Sequence, residues 1–200
     1  MEERIENTMK AFRKHMFEIE YFETGAEAVS WVTEQLEAGS SAGFGGSTTV
    51  KELGLKEALS KKGVILFDPD TAENAKEATL QARDADAYFC SANALVEDGS
   101  ILNVDGTGNR VSACAFGPKH LYLLVGVNKL VPDLDAAMER IKEAAVKNCQ
   151  ALKKKTPCTM TGKCSDCLSP DRSCRAYLLL RRPSRKVPTT VVLINESLGY

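Results

Sequence analysis

Strand-sized apolar runs alternate with helix-patterned segments along most of the chain, and few architectures accept that alternation. Residues 17–22, 40–44, 64–67, 87–91, 120–127 and 189–195 read as strands, and several are apolar throughout rather than at every second position. A strand with no polar face is covered on both sides. With helical patterns between successive strands, the expected fold is α/β: a mainly parallel sheet with helices on both faces, plus a C-terminal cysteine-rich loop. All 200 residues then form a single domain, with an N-terminal helix at 1–15 and the loop at 156–176.

The intervening segments carry recognisable start and stop signals. Ile5, Met9 and Phe12 share one face of the first helix. Thr24 and Glu27 have capping-box spacing before a helix that runs to about Gly39. One helix is expected through Val50, Leu53 and Leu59 to Gly63, and another from Thr71 to about Arg83. Residues 94–104 read as a hairpin around Glu97-Asp98-Gly99, and a long helix starts at Asp133.

Bulk composition excludes several classes. With 44% hydrophobic and 26% charged residues the chain fits neither disorder nor a membrane protein, and no run approaches the length of a bilayer span. A net charge of −1 provides no global field for nucleic acid. The first fourteen residues lack the apolar stretch of a secretory signal, so the expectation is a cytoplasmic protein without membrane insertion. The N-terminal helix offers a surface for homodimerisation.

Three polar turns at strand ends are candidate ligand-binding segments. In the first, Gly43-Phe44-Gly45-Gly46-Ser47-Thr48-Thr49, glycines let backbone approach a ligand, and N–H groups and hydroxyls converge on one point. That suits phosphate or carboxylate, although the spacing is neither a dinucleotide fingerprint nor a Walker loop. The plain alternative is a tight turn with a Ser or Thr N-cap. In the second, Asp105-Gly106-Thr107-Gly108-Asn109-Arg110, the guanidinium suits bidentate anion capture and Asp105 is a candidate base. The plain alternative is a turn rich in Asp, Asn and Gly. The third is Asn128-Lys129, which a solvated loop would also explain.

Seven cysteines are present, and four of them, Cys158, Cys164, Cys167 and Cys174, form a C-x5-C-x2-C-x6-C pattern. In a reducing compartment this points to a metal site, either tetrahedral zinc or an iron–sulfur cluster, with free or redox-active thiols as the alternative. Cys90, Cys114 and Cys149 lie in strand or helix patterns and read as small buried hydrophobes.

The stretches GFGGSTTVKELGL (43–55), SANALVEDGSILNVDGTGNRV (91–111), FGPKHLYLLVGVNKLV (116–131) and TPCTMTGKCSDC (156–167), in this order, resemble the lactate-utilisation (LUD) domain family. The resemblance implies a relationship to ribose-phosphate and glucosamine-phosphate isomerases and CoA-transferases, which bind phosphosugars or CoA esters at a Gly-Ser-Thr turn after a strand. Gly45-Gly46-Ser47-Thr48 is similar to that turn. The Asp105-Gly106 turn is similar to a second substrate-facing loop, but no isomerase-type carboxylate is placed. It also implies a role beside iron–sulfur redox proteins in lactate oxidation.

The resulting expectation is a LUD-type protein that binds a small anion, a 2-hydroxy acid or phosphate ester. Its ligand-binding residues would be Gly45, Gly46, Ser47, Thr48, Thr49, Asp105, Gly106, Asn109, Arg110, Asn128 and Lys129, beside a four-cysteine metal or cluster. An isomerase- or CoA-transferase-type enzyme and a non-catalytic scaffold docking iron–sulfur partners are the rival readings.

Overall fold

The computed structural model describes residues 2–200. In chain order the elements are α1 (Glu3–Lys14), β1 (Glu18–Phe22), α2 (Gly25–Glu34), β2 (Ser41–Phe44), α3 (Thr48–Glu52), α4 (Leu55–Lys61), β3 (Ile65–Phe67), α5 (Ala75–Arg83), β4 (Ala87–Cys90), β5 (Ala94–Val96), β6 (Ile101–Asp105), α6 (Asn109–Ala115) and β7 (His120–Gly126). A 3-10 turn at Val127–Lys129 follows, then β8 (Leu130–Val131), α7 (Leu134–Ala151), α8 (Pro157–Thr161), β9 (Ala176–Leu180) and β10 (Thr189–Ile194).

Six strands form an all-parallel sheet in the order β1-β10-β7-β4-β2-β3. Its central strands are apolar throughout because both faces are covered. Along β7, Leu121, Leu123 and Val125 pack on one side with Ile5, Met9 and Phe12 of α1, whereas Tyr122 and Leu124 pack on the other with Val32, Val50, Leu55 and Leu59. The period-2 alternation of a strand therefore feeds two cores. The apolar stripe of α1 is spent within the chain, so it is not a free dimerisation face.

A second sheet, β8-β5-β6-β9, stacks over the first. Leu95, Ile101 and Leu180 face the parallel sheet, while Ala94, Val96, Leu102 and Val104 face Ala137 and Ile141 of α7. The hairpin at 94–104 is thus present, as the antiparallel pair β5–β6, but it belongs to a layer of its own. One helix expected through Val50 and Leu59 is two, α3 and α4, because Gly54 adopts φ 66° between them. The helix expected from Thr71 begins only at Ala75, where the Asn74 side chain accepts the Glu77 N–H. The capping box of Thr24 and Glu27 is formed.

This layering positions one end of the molecule. The carboxyl ends of β2, β4, β7 and β10 are neighbours in the sheet. Open parallel sheets present their ligand crevices there.

Candidate functional site

A polar cavity of about 320 Å³ opens at those strand ends. Each wall comes from a different strand exit. Gly45 to Thr49 follow β2, Ser91 and Asn93 follow β4, Asp105 to Arg110 follow β6, and Lys129 follows β7. Asn148 and Lys154 approach from the α7 side, and Tyr200 closes one edge. Of the expected ligand-binding residues, Gly45, Gly46, Ser47, Thr48, Thr49, Asp105, Gly106, Asn109, Arg110 and Lys129 all line this cavity. Asn128 does not. Its amide brackets Leu198, with Oδ1 accepting the Leu198 N–H at 3.2 Å and Nδ2 donating to the Leu198 carbonyl at 3.4 Å. It fastens residues 195–200 over the site instead of facing a ligand.

Lys129 is the most constrained charge in the cavity. It is 4% exposed. Its Nζ donates to Thr49 Oγ1 at 2.8 Å and to Ser91 Oγ at 3.0 Å. Both partners are neutral hydroxyls. None of the ion pairs among the described residues includes Lys129. Burial, and then the nearby Arg140 and Arg110 guanidinium groups, pull its pKa down to about 7, with Glu52 opposing them. A buried amine without a counter-charge loses its proton more readily.

The Gly-rich turn is shaped by its neighbours. A Cβ on Gly45 would run into the Tyr88 hydroxyl of the adjacent strand, so only glycine lets the chain leave β2 at this point. Ser47 is the N-cap of α3, its Oγ accepting the Val50 N–H at 3.3 Å. The plain reading of that serine therefore holds, and the turn lines the cavity as well.

The Asp105 turn is also largely self-satisfied. The Asp105 carboxylate accepts N–H groups of Thr107 at 3.1 Å, Arg110 at 2.9 Å and Val111 at 3.3 Å. Burial, the largest single influence, pushes its pKa up, but those N–H donors and the Arg110 charge outweigh it and leave the group below its usual value. An ionised carboxylate occupied by backbone donors is a turn-former and a poor proton acceptor. Arg110 Nη2 donates to Asn93 Oδ1 at 2.9 Å and to the Val104 carbonyl. Asn93 Oδ1 also accepts the Val104 N–H at 2.9 Å, and its own N–H is held by Asn103 Oδ1 at 3.0 Å.

Arg140 of α7 binds three separate segments, donating to the backbone oxygens of Asn93 at 2.7 Å, Tyr200 at 2.8 Å and Asn128 at 3.3 Å. Sequence reasoning misses Arg140, Ser91, Asn93, Asn148 and Tyr200. Each is a lone polar residue whose relevance depends on the strand order.

Cys90 and Cys114 are fully buried, with Sγ atoms 3.8 Å apart. The hydrogen bond to Cys90, then burial, pushes the Cys114 thiol up. Such thiols pack as small apolar groups, as does buried Cys149. The other four cysteines are partly or fully exposed and line a single small cavity. Among the described residues, no three His, Cys, Asp or Glu side chains already converge as a metal shell.

Among the described residues, no helix is long and apolar enough to cross a membrane. A search of curated proteins finds no match. Among solved structures, a DUF162 family protein from Deinococcus radiodurans shares the fold, with a TM-score of 0.54 at 12% identity over 96% of each chain. The eIF2B beta of Chaetomium thermophilum aligns at 16% identity over 56% of this chain and 44% of its own, with a TM-score of 0.40. Residues 5–194 match the LUD domain, which is nearly the whole sequence, and the chain belongs to that family.

Proposed function

We propose that the cavity binds a small anionic ligand, a 2-hydroxy acid or a phosphate ester, and that the protein serves redox metabolism of the lactate-utilisation type. One observation carries this reading: among the described residues, the buried Lys129 amine has only the Thr49 and Ser91 hydroxyls as hydrogen-bond partners. A buried cation without an opposite charge is costly. A bound carboxylate or phosphate supplies that charge, and the hydroxyls of Ser47, Thr48 and Thr49 sit on the same wall. Among the described residues, two side-chain carboxylates line the cavity, those of Asp70 and Asp105. Asp105 is occupied by backbone donors, which weighs against the isomerase-type reading with Asp105 as base.

Titration calorimetry with L-lactate, pyruvate, inorganic phosphate and ribose 5-phosphate tests the reading. At least one should bind to the wild type and fail to bind after Lys129→Met. The proposal is wrong if none binds at millimolar concentration, or if the substitution leaves affinity intact.

A further inference from the structure

The segment from Pro157 to Arg175 cannot be held by an apolar core. After the single turn of α8 it runs without regular structure to β9, and its largest apolar side chains face solvent, with Met160 90% and Leu168 96% exposed. Long loops of this kind need another source of order.

Four observations converge on the cysteines. Cys158, Cys164, Cys167 and Cys174 all line one cavity of about 20 Å³, room for a single water-sized sphere. The Asp166 N–H points at Cys164 Sγ, 3.5 Å away, so the backbone of the Cys-x2-Cys turn is already folded around that sulfur. Arg172 threads the loop. Its Nη1 donates to the Cys167 carbonyl at 2.8 Å, its Nε to the Cys174 carbonyl at 2.7 Å, and its Nη2 to the Asp166 carboxylate at 2.6 Å. One guanidinium thus fixes the backbone of two cysteines and brings positive charge to the sulfurs. Finally, the loop is docked rather than dangling. The Arg175 N–H donates to the Asp105 carbonyl at 2.9 Å, and a Cβ on Gly106 would meet the Ser173 carbonyl at 2.8 Å.

Cys174 and Ser173 line both this cavity and the anion cavity. We infer that Cys158, Cys164, Cys167 and Cys174 form a tetrathiolate metal centre that shares the Ser173–Cys174 wall with the anion cavity, so that metal occupancy and anion binding are thermodynamically coupled. The metal centre stands on the cysteines alone. The coupling rests on the anion-binding reading above. Binding requires the sulfurs to turn into the cavity they already line and to release their protons, and four thiolates then surround the ion. Loss of the metal frees residues 173–175 and with them the Asp105 turn. Coupling of this type is reciprocal and about tenfold in magnitude.

The full chain, purified without oxygen, is assayed for metal and sulfide and by absorption. About one zinc per chain without colour means a mononuclear centre. Iron with acid-labile sulfide and broad visible absorption means a cluster. Either outcome supports the tetrathiolate, provided that Cys164→Ser and Cys167→Ser abolish it. Because those variants could misfold, wild type stripped by chelator is also titrated with cobalt(II), where thiolate-to-cobalt charge transfer and tetrahedral d–d bands are expected. A metal-free protein whose four thiols react freely and give no cobalt bands overturns the centre.

Inorganic phosphate is then titrated into loaded and stripped protein. About tenfold weaker binding to the stripped form is expected. Equal affinity overturns the coupling but leaves the centre. Absence of phosphate binding to either form, with metal present, overturns the coupling and points to the anion reading as the part that failed.

Discussion

Lys129 Nζ lies 2.8 Å from Thr49 Oγ1, and these two residues join the exits of β7 and β2 across the strand between them. The pair is buried, hydroxyl-to-ammonium, and without a carboxylate. It makes the site sensitive to pH. Lys129 is shifted to about 7 from 10.5, so the unfolded chain binds more protons than the folded one between those values. Folding stability should therefore rise as pH increases from about 7 toward 10.5, with the full penalty present below 7. Lys129→Met should flatten that rise and stabilise the protein at pH 7 by about 1–3 kcal/mol. Urea denaturation of both proteins at a series of pH values checks it, and identical slopes would dispose of the idea.

Anion binding should show the opposite dependence. A bound anion favours the charged amine, so binding draws a proton onto Lys129 when the solution pH exceeds about 7. Affinity for phosphate or lactate should fall by about tenfold between pH 6 and pH 8.5. Part of any phosphate trend belongs to the ligand's own titration, so lactate, which stays monoanionic throughout, is the cleaner probe. Calorimetry in buffers of different ionisation enthalpy measures the proton uptake directly.

The two adjacent glycines of the first turn should respond differently. A Cβ at Gly45 collides with the Tyr88 hydroxyl, whereas at Gly46 the nearest atom is Asp70 Oδ2 at 3.9 Å. Gly45→Ala should cost about 1–3 kcal/mol, as overpacking does. Gly46→Ala should stay within about 0.5 kcal/mol. Adding Tyr88→Phe to Gly45→Ala should recover part of the loss, since the hydroxyl is the nearest obstacle but the ring also crowds the new atom. A double-mutant cycle read by thermal or urea unfolding measures that recovery.

Asp105 should behave as a structural cap. Asp105→Ala removes the acceptor of three backbone N–H groups and should destabilise by about 1–2 kcal/mol. Its lowered pKa means that its contribution is complete above the ordinary carboxylate value and is lost as pH falls through the folded-state value. The variant should consequently lose less stability on acidification than wild type. If it instead matches wild-type stability but cannot bind or turn over a ligand, the residue acts on substrate and the capping account is wrong.

The parallel sheet was legible because β4, β7 and β10 are covered on both faces and their apolar runs have no competing interpretation. The second sheet was not. β9 alternates between exposed and partly buried residues up to the buried Leu180, and β8 is only two residues long, so neither has a local signal separate from loop. Three turns at strand ends pointed to the cavity, since glycine with Ser, Thr, Asp or Asn marks a strand exit. Asn128 pointed there too, yet its neighbour in sequence, Lys129, is the one that faces inward. A 3-10 turn sends consecutive side chains to different sides, and no pattern of two residues reveals which. Arg140 and Tyr200 lie 47 and 107 positions from Asn93, and only the fold brings them together.

Residues 198–200 account for part of the Lys129 environment and give a final test. Leu198 is 7% exposed, and its carbonyl accepts from Thr49 Oγ1 at 3.4 Å, while the Gly199 N–H donates to Glu52 Oε2 at 2.7 Å. Deleting residues 198–200 should remove about 1.5–3 kcal/mol of stability through the lost Leu198 burial. It should also admit water to Lys129. Burial is the largest cause of the depressed pKa, so hydration should raise it toward 10.5. The midpoint of the pH dependence of lactate affinity should then move upward, and tight binding should persist to higher pH even if the maximal affinity falls. A truncated protein that binds lactate with an unchanged midpoint would show that the tail does not shield the amine.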